Sequence, residues 1–314
     1  MSPLAENSGP AVVAAVIGLG SMGLGMAQSM KRAGLDVVGY DITPAAVDRF
    51  VAEDGLGAAT PAGAAKDADI VVSVVVNGAQ TEAVLFGPEG VAGTMKPGAV
   101  FISSATMDPA VARDLAQRVE ALGLHYLDAP ISGGAAKAAS GALTIMASGS
   151  KQAFDMARPA LDAMAGKVYK LDDAAGTGAA FKMINQLLAG VHIAAACEAI
   201  TFAAKQGLDL DKVYEVITAS AGSSWMFENR VPHVLAGDYT PLSSIEIFVK
   251  DLGIVQDMAR SERYPVPLAA AALQMYLAAS GAGMGRDDDS SLARLYAQLS
   301  GAALPGAAKE PEKQ

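Results

Sequence analysis

Short apolar runs alternate with amphipathic stretches through the first half of the chain. The run at 70–76 is almost unbroken and β-branched, which is typical of a strand covered on both faces. Thr43-Pro44, Thr60-Pro61 and Asp108-Pro109 each predict a helix start, because an N-cap residue precedes a proline. The predicted strands are 11–17, 36–40, 70–76, 99–103, 126–129 and 143–147. Strands that alternate with helices predict right-handed βαβ crossovers and a mainly parallel sheet, and so an α/β fold.

The pattern changes after residue 176, where strand signals become rare. Residues 176–207 are predicted to form one long helix. Further helices are predicted at 209–220, 243–261, 268–280 and 290–299. We therefore predict an α/β domain at 1–175, an all-α domain at 176–304 and a flexible tail at 305–314.

Charge restricts the classes of partner. The formal net charge is −10 and no basic stripe is present, which argues against nucleic acid as a partner. An acidic chain repels anionic ligands at long range, so an anionic substrate needs a local lysine or a helix N-terminus.

The few cysteines and histidines give little support for a metal site or for redox chemistry. One cysteine excludes an intrachain disulfide and favours a reducing, cytoplasmic setting. The three histidines are widely separated, so we expect no metal site. The uncharged stretches 7–30 and 264–285 are interrupted by glycine or proline, so we expect no membrane span.

A glycine-rich motif follows the first predicted strand and opens a helix. Its residues are Gly18-Leu19-Gly20-Ser21-Met22-Gly23. Gly18 permits a tight turn, Gly20 lets a pyrophosphate approach the backbone, and Gly23 lets the helix pack closely on the strand. The helix N-terminus would then offer N–H groups to the phosphates.

Asp41 closes the second predicted strand, 21 residues after Gly20. A carboxylate there can accept both adenosine-ribose hydroxyls and repels the 2′-phosphate of NADP. Ile42 and Thr43 follow, so no arginine stands there to receive that phosphate. The motif and Asp41 together predict NAD as cofactor; the alternative is that Asp41 only caps the turn.

Lys182 is the candidate for proton transfer. If the dinucleotide takes a hydride from a hydroxyl carbon, the reaction also requires a proton acceptor, and no histidine lies in a suitable motif. Asn185 and Gln186 follow Lys182 at i+3 and i+4, on the same helical face. Such a face is costly to bury unless it lines a cleft, where desolvation would lower the pKa of the lysine. The alternative is a solvated surface lysine.

Five motifs follow one another along the chain: the glycine loop, Ser104–Pro109, Asp128–Gly134, Gly176-Thr177-Gly178 before Lys182, and Lys250–Gly253. In this order they resemble the motifs of the β-hydroxyacid dehydrogenase family, which includes 3-hydroxyisobutyrate dehydrogenase. The resemblance extends over residues 12–300, nearly the whole chain. Ala105 is a departure, since many members have serine there.

The resemblance implies a Rossmann-type, doubly wound sheet, an interdomain helix and an all-α domain, with the active site in the cleft between the domains. It implies NAD-dependent oxidation of a small hydroxy acid, with Lys182 as general acid/base. Lys250 matches a lysine near the nicotinamide; the alternative is a helical lysine paired with Asp251 or Glu246. The positions that match cofactor-contacting residues are Val75, Val76, Gln80 and Thr106. Val75 and Val76 are otherwise ordinary strand residues.

The resemblance also implies a substrate site. Ser132, Gly133 and Gly134 follow a strand and could bind a carboxylate, with Asn185 and Gln186 as further substrate contacts; the alternative is an ordinary turn. The segments 223–230, 238–242 and 248–253 resemble those of family members that act on L-threonate, so we expect oxidation of L-threonate at C2. The aromatic residues there are otherwise core or oligomer contacts.

Other activities stay open from the sequence. They are a tartronate semialdehyde or other semialdehyde reductase, a 3-hydroxyisobutyrate-type dehydrogenase and a non-catalytic dinucleotide-binding protein. The resemblance also implies a homodimer or homotetramer.

Overall fold

A computed structural model describes residues 12–306 of the chain. Its strands are β1 (Val13–Ile17), β2 (Asp36–Tyr40), β3 (Leu56–Gly57), β4 (Ile70–Ser73), β5 (Val100–Ser103), β6 (His125–Asp128), β7 (Ile131–Ser132), β8 (Leu143–Ser148) and β9 (Ala165–Asp172). Its helices are α1 (Gly23–Arg32), α2 (Pro44–Ala52), α3 (Pro61–Ala65), α4 (Gly78–Phe86), α5 (Pro109–Glu120), α6 (Gly134–Ala139), α7 (Lys151–Met164), α8 (Thr177–Lys205), α9 (Leu210–Thr218), α10 (Trp225–Ala236), α11 (Ile245–Ser261), α12 (Pro267–Ala279) and α13 (Leu292–Ser300). Position 11 of the first predicted strand and positions 307–314 of the predicted tail lie outside the described residues.

The described chain separates into two compact units, one ending at Lys182 and the other beginning at Met183. In the first unit all nine strands form one sheet, in the order β3-β2-β1-β4-β5-β6-β8-β7, and β9 pairs with β8. The pairs from β3 to β6 are parallel. The order 3-2-1-4-5-6 is that of a doubly wound dinucleotide-binding fold, which confirms the predicted fold class. Parallel strands place their carboxyl ends at one edge, where the loops of the site begin.

Apolar strands explain why helices cover both faces of this sheet. All four residues of β4 and all four of β5 are buried. Helices α1, α2, α6 and α7 contribute to the apolar core on one face, and α3, α4 and α5 to the core on the other. Predicted helix starts at Thr60 and Asp108 are confirmed, since their side chains accept from the N–H groups of Gly63 and Ala110.

Strand β6 continues into β7 through Ala129-Pro130. Asp128 pairs with Ser148 and Ile131 with Ile145, in one unbroken antiparallel register. The carbonyl of Pro130 still accepts from the N–H of Met146 at 3.0 Å. This continuity places Ile131 and Ser132 directly beyond the carboxyl end of β6.

Two predictions for the first unit were wrong. The strand predicted at 70–76 is β4, which ends at Ser73 because the chain turns there toward α4. The series of strands does not end at 147, since β9 follows α7. Strand β9 is paired in the described structure with β8 alone and no residue in it is buried, so its sequence lacks the apolar run of an interior strand.

The second unit is helical and has its own apolar core. The predicted helices agree with α9, α11, α12 and α13 to within two residues at each end. Helix α10 was not predicted, because the motif at 223–230 was assigned to the substrate site and not to an element. Within the described chain, α8 alone is long and apolar enough to cross a membrane, and half of its most apolar window is buried in the protein.

Candidate active site

The glycine loop between β1 and α1 has the backbone that its sequence predicts. Gly18 has φ +100°, and a Cβ there would stand 2.5 Å from the carbonyl oxygen of Val74. A Cβ on Gly23 would stand 1.8 Å from the carbonyl oxygen of Gly18, so only glycine permits this packing. Gly20 differs, since a Cβ there would meet no described atom within 4 Å. The loop therefore leaves open space at the position where a pyrophosphate approaches the backbone.

The N-terminus of α1 is available to an anion. Among the described residues, no side chain caps it, and the first N–H groups of a helix have no partner within the helix. A cavity of about 280 Å³ lies over Gly20 and Ser21. Arg49, on the last turn of α2, also lines this cavity and brings a positive charge to the loop. The sequence argument missed Arg49 because it considered only the residues next to Asp41.

Asp41 holds the glycine loop as well as its own turn. Its Oδ2 accepts from the N–H of Leu19 at 2.7 Å, and its Oδ1 accepts from the N–H of Thr43 at 2.8 Å. The capping role is therefore present, and each carboxylate oxygen keeps a lone pair for a ribose hydroxyl. The adjacent Ile42 is 88% exposed, so an apolar side chain stands in solvent beside this carboxylate.

The other predicted cofactor residues lie on the loops after β4 and β5. Gln80 turns back onto its own loop, where its Oε1 accepts from the N–H of Val76 at 2.8 Å. Val75 is half-buried, Val76 is exposed, and Thr106 is half-buried after the end of β5. The structure thus places these residues at the carboxyl edge of the sheet, as expected for parallel strands.

Lys182 is buried in the second turn of α8. Its side chain is only 8% exposed, which excludes the alternative of a solvated surface lysine. Its Nζ donates to the carbonyl oxygen of Ile131 at 2.8 Å. Ile131 immediately precedes Ser132, so the amine of Lys182 lies beside the start of the predicted carboxylate-binding turn.

That turn is built from two glycines with positive φ. Gly133 has φ +137° and Gly134 has φ +76°, conformations that L side chains rarely adopt. A Cβ on Gly134 would meet no described atom within 4 Å, and Ser132 is half-buried. Lys137, in the helix that follows the turn, is exposed. The turn therefore offers an accessible backbone next to a hydroxyl group, which suits a carboxylate.

Asp128, at the end of β6, is a functional candidate that the sequence did not single out. It is 1% exposed, and burial raises the pKa of its carboxyl, while the N–H groups of Ala179 and Gly176 oppose that shift. Asp128 belongs to the quoted motif, but only its last three residues were given a role. Its position at a strand end was the available signal.

The second unit contains a chain of polar contacts on α8 and α11. Asn185 donates from Nδ2 to Oε1 of Gln186 at 3.0 Å, and Gln186 donates from Nε2 to Oδ2 of Asp251 at 2.5 Å. Lys250 pairs with Oδ1 of Asp251 at 2.5 Å, one of its two predicted alternatives. Because Asp251 is acceptor-only when ionised, the Gln186 amide must direct its NH₂ group toward Asp251. The sequence missed Asp251 as the centre of this chain.

Comparison with known proteins identifies the family. Residues 13–172 match the family of the NAD-binding domain of 6-phosphogluconate dehydrogenase. Residues 176–296 match a second family, described as the NAD-binding part of NADP-dependent 3-hydroxyisobutyrate dehydrogenase. L-threonate dehydrogenase of Cupriavidus necator is 53% identical over 94% of this chain and 98% of its own. The enzyme of that name from Haemophilus influenzae is 51% identical over 93% and 96%. The crystal structure of 3-hydroxyisobutyrate dehydrogenase from Salmonella typhimurium is 50% identical, with a TM-score of 0.87 over 90% of this chain and 99% of its own.

The chain belongs to the 3-hydroxyisobutyrate dehydrogenase-like family. The resemblance inferred from the five motifs is thereby confirmed. The protein is an oxidoreductase that uses NAD and acts on CH–OH groups. The glycine loop of this dehydrogenase fits the cofactor, because it has open space at Gly20 and an uncapped helix N-terminus beside it.

The segment 223–230 of the dehydrogenase, which contains Trp225 and Phe227, forms the start of α10. Phe227 is buried and stacks on Tyr214, with ring centroids 6.0 Å apart, and Arg230 is buried against Asp289. These two residues therefore belong to the core of the second unit. Trp225 is 55% exposed, so it is the aromatic residue of the motif that stays available to a ligand or a partner.

Metal ligands are not grouped in the described part of the dehydrogenase, where no cluster of three or more His, Cys, Asp or Glu residues was found. Cys197 is buried, and burial raises the pKa of its thiol. A nucleophilic role for this cysteine has no support, because the thiolate is the reactive form.

Proposed function

We propose that this dehydrogenase oxidises L-threonate, or a close four-carbon sugar acid, at C2 to the 2-oxo acid. The observation that carries the proposal is the contact of Lys182 Nζ with the carbonyl oxygen of Ile131 at 2.8 Å. It supports a site in which one amine and one carboxylate-binding turn face the same small hydroxy acid. We assign cofactor binding to a domain at residues 1–175. We assign substrate binding and oligomerisation to a domain at residues 176–304.

In this proposal Lys182 is the general acid/base. When bound, NAD supplies the hydride chemistry, accepting the C2 hydrogen with its electron pair. The neutral amine of Lys182 accepts the proton of the C2 hydroxyl as the carbonyl forms, and the ammonium returns it in the reverse reduction. The Ile131 carbonyl accepts from the amine and fixes where Nζ stands.

The substrate carboxylate is assigned to Ser132, Gly133 and Gly134. A hydroxyl and the two glycine N–H groups can bind it at short range, which offsets the repulsion expected from the net charge of −10. Asn185 and Gln186 are assigned to the remaining hydroxyls. Their amides are already oriented by one another and by Asp251, which lowers the ordering cost of binding.

The names of the similar proteins give two candidate substrates. Five of them, at 48–53% identity over 93–95% of this chain, are named L-threonate dehydrogenase. The similar crystal structure is named 3-hydroxyisobutyrate dehydrogenase, and this branched hydroxy acid is the second candidate. We favour L-threonate because the segments 223–230, 238–242 and 248–253 resemble those of family members that act on it.

Steady-state kinetics tests the substrate. With NAD in excess, kcat/KM for L-threonate is expected to exceed that for D-glycerate and 3-hydroxyisobutyrate by about tenfold or more, because an acid with fewer hydroxyls forms fewer hydrogen bonds in a site that binds hydroxyls. The C3 epimer of threonate is the matched control for hydroxyl geometry. A kcat/KM for L-threonate tenfold below either competitor rejects the substrate but leaves the family assignment intact.

The dehydrogenase is proposed to prefer NAD to NADP because of the Asp41 charge. Asp41→Asn keeps an oxygen for the N–H of Leu19 and removes the repulsion of a 2′-phosphate. The ratio of kcat/KM for NAD to that for NADP is expected to fall by about tenfold, equivalent to about 1.4 kcal/mol. Asp36→Asn, at the exposed start of the same strand, should leave the ratio unchanged. Equal use of both cofactors by the unmodified protein contradicts the role of Asp41.

We further propose a cytoplasmic homo-oligomer that binds neither nucleic acid nor membrane. Four large apolar side chains on α8 are about half or more exposed: Phe181, Ile184, Leu188 and Phe202. A second copy would cover such a stripe, since large exposed apolar patches mark interaction sites. Sedimentation equilibrium measures the state, and a monomer at micromolar concentration contradicts this proposal.

A further inference from the structure

The first turn of α8 is bound to the strand ends by two side chains. Oδ2 of Asp128 accepts from the N–H groups of Gly176 and Ala179, both at 2.9 Å. Oγ of Ser148 accepts from the N–H of Gly178 at 2.9 Å and donates to Asp128 at 3.2 Å. The first N–H groups of a helix need such external partners. Two residues on neighbouring strands thus fix the end of α8 in both position and rotation.

The glycines of Gly176-Thr177-Gly178 permit this close attachment. Gly176 has φ +103°, which L side chains rarely adopt. A Cβ on Gly178 would stand 2.4 Å from the carbonyl oxygen of Met146 and 2.9 Å from that of Asp128. The helix therefore begins in backbone contact with β6 and β8, at a distance that a side chain would not allow.

Lys182 lies on the face of α8 that is hydrogen-bonded to the ends of β6 and β8. It follows Gly178 by four residues and Ala179 by three, so its side chain points toward the same strand ends. Its Nζ reaches the carbonyl oxygen of Ile131, three residues after Asp128. Because each residue turns a helix by about 100°, a slip of one residue at the first turn would remove Lys182 from this carbonyl.

Burial of the Asp128 carboxylate is energetically unfavourable. Its side chain is 1% exposed, and a buried carboxylate is unfavourable unless several donors compensate it. Here two backbone N–H groups and a hydroxyl donate to Oδ2, and the positive end of the helix dipole lies beside it, which compensates that oxygen. Among the described residues Oδ1 receives no hydrogen bond. Both strand ends could have been filled by apolar residues, but these could not hold the N–H groups of α8.

We propose that Asp128, together with Ser148, is a positioning residue for the reaction, which acts by fixing the first turn of α8 so that Lys182 Nζ stands beside Ile131. This inference rests on the proposed role of Lys182. Asp128 and Ser148 touch neither substrate nor cofactor in the proposed mechanism. They act through the backbone of the helix that carries the amine.

Three variants test the positioning role. Asp128→Asn keeps one acceptor oxygen, Asp128→Ala keeps none, and Ser148→Ala removes the acceptor for Gly178. A displacement of about 1 Å at a reacting group can cost about 10²-fold in rate, so kcat is expected to fall by about 10- to 10²-fold in Asp128→Ala and by less in Asp128→Asn. The dissociation constant for NADH, measured by fluorescence, is expected to change less than about twofold, because the glycine loop is untouched.

Ser150→Ala is the matched control. Ser150 caps α7 in the same unit, accepting from the N–H of Ala153, and α7 carries no proposed site residue. This variant is expected to lose thermal stability comparably to Ser148→Ala but to keep its kcat. Should Asp128→Ala fail to fold, Ser148→Ala and Asp128→Asn carry the test alone. An equal loss of kcat in Ser150→Ala and Ser148→Ala overturns the positioning role.

A double-mutant cycle separates this inference from the proposed function. If Asp128 acts through Lys182, then Asp128→Asn in a Lys182→Ala background lowers the residual kcat by less than about twofold. If the two losses multiply, Asp128 has an independent effect and the inference is wrong. If Lys182→Ala alone retains its activity, the proposed role of Lys182 fails instead.

Discussion

Replacing Lys182 with alanine is expected to lower kcat by about 10²-fold or more, because general acid–base catalysis contributes about 10²- to 10⁴-fold. The structure supplies the reason for a large effect. The amine is buried and hydrogen-bonded to the Ile131 carbonyl, beside the turn assigned to the carboxylate, so alanine removes the proposed proton acceptor from that place. Stopped-flow and steady-state measurement of NADH formation gives the loss.

Lys182→Arg separates charge from proton transfer. An arginine keeps the positive charge but is not deprotonated in proteins, so it cannot accept the hydroxyl proton. This variant is expected to lose about as much kcat as Lys182→Ala. The control is Lys205→Ala, at the last turn of the same helix. NADH should bind each variant as before, and near-normal turnover by Lys182→Ala at neutral pH would remove this residue from the mechanism.

The sequence predicted the part of the first unit that depends on periodicity and glycine geometry. Interior strands such as β4 are buried on both faces, so most of their residues are apolar and their pattern is easily recognised. The roles of Gly18 and Gly23 were predictable because only glycine tolerates the positive φ of the first and the 1.8 Å approach at the second. Lys182 was identified mainly by the family motif Gly176-Thr177-Gly178 that precedes it, with the polar residues at helical spacing as a supporting signal.

The rest was not predictable for physical reasons. Strand β9 is half-exposed along its length, so it has no apolar run to distinguish it from a loop. Asp128 and Asp251 act through partners 51 and 65 residues away in the chain, Ala179 and Gln186, and such pairings depend on the tertiary fold. A single sequence gives the residue types but not the distances that make them partners.

Replacing Arg230 with methionine is expected to lower the unfolding free energy of the second unit by about 3–5 kcal/mol, because one partner of a buried ion pair is then left uncompensated. Arg230 binds Asp289 through two contacts, Nε to Oδ1 at 2.5 Å and Nη2 to Oδ2 at 3.2 Å. Asp289 is fully buried and Arg230 is 7% exposed. Urea unfolding, followed by the fluorescence of Trp225 on the same helix and the one tryptophan of the chain, measures the change.

The same substitution should change how stability depends on pH. Burial raises the pKa of Asp289 from 3.8 to about 6, although the Arg230 charge opposes this shift. A folded-state pKa above the unfolded value means that the folded state binds more protons between the two, so this group lowers stability as pH rises from about 4 through 6. Without Arg230 the pKa rises further. The deficit of Arg230→Met relative to the unmodified protein should therefore be smaller at pH 5 than at pH 8.

Two further variants distinguish a broken buried pair from a general loss of charge. Arg260→Met removes an exposed arginine that pairs with Asp257 on α11, and exposed pairs contribute about 0–1 kcal/mol, so little change is expected. Arg230→Met combined with Asp289→Leu removes both charges and fills the space with apolar atoms. This double variant should recover most of the lost stability, since well-packed apolar replacements of buried pairs are often neutral. If the double variant is as unstable as Arg230→Met, or if the deficit is the same at pH 5 and pH 8, the cost does not come from an uncompensated Asp289 carboxylate.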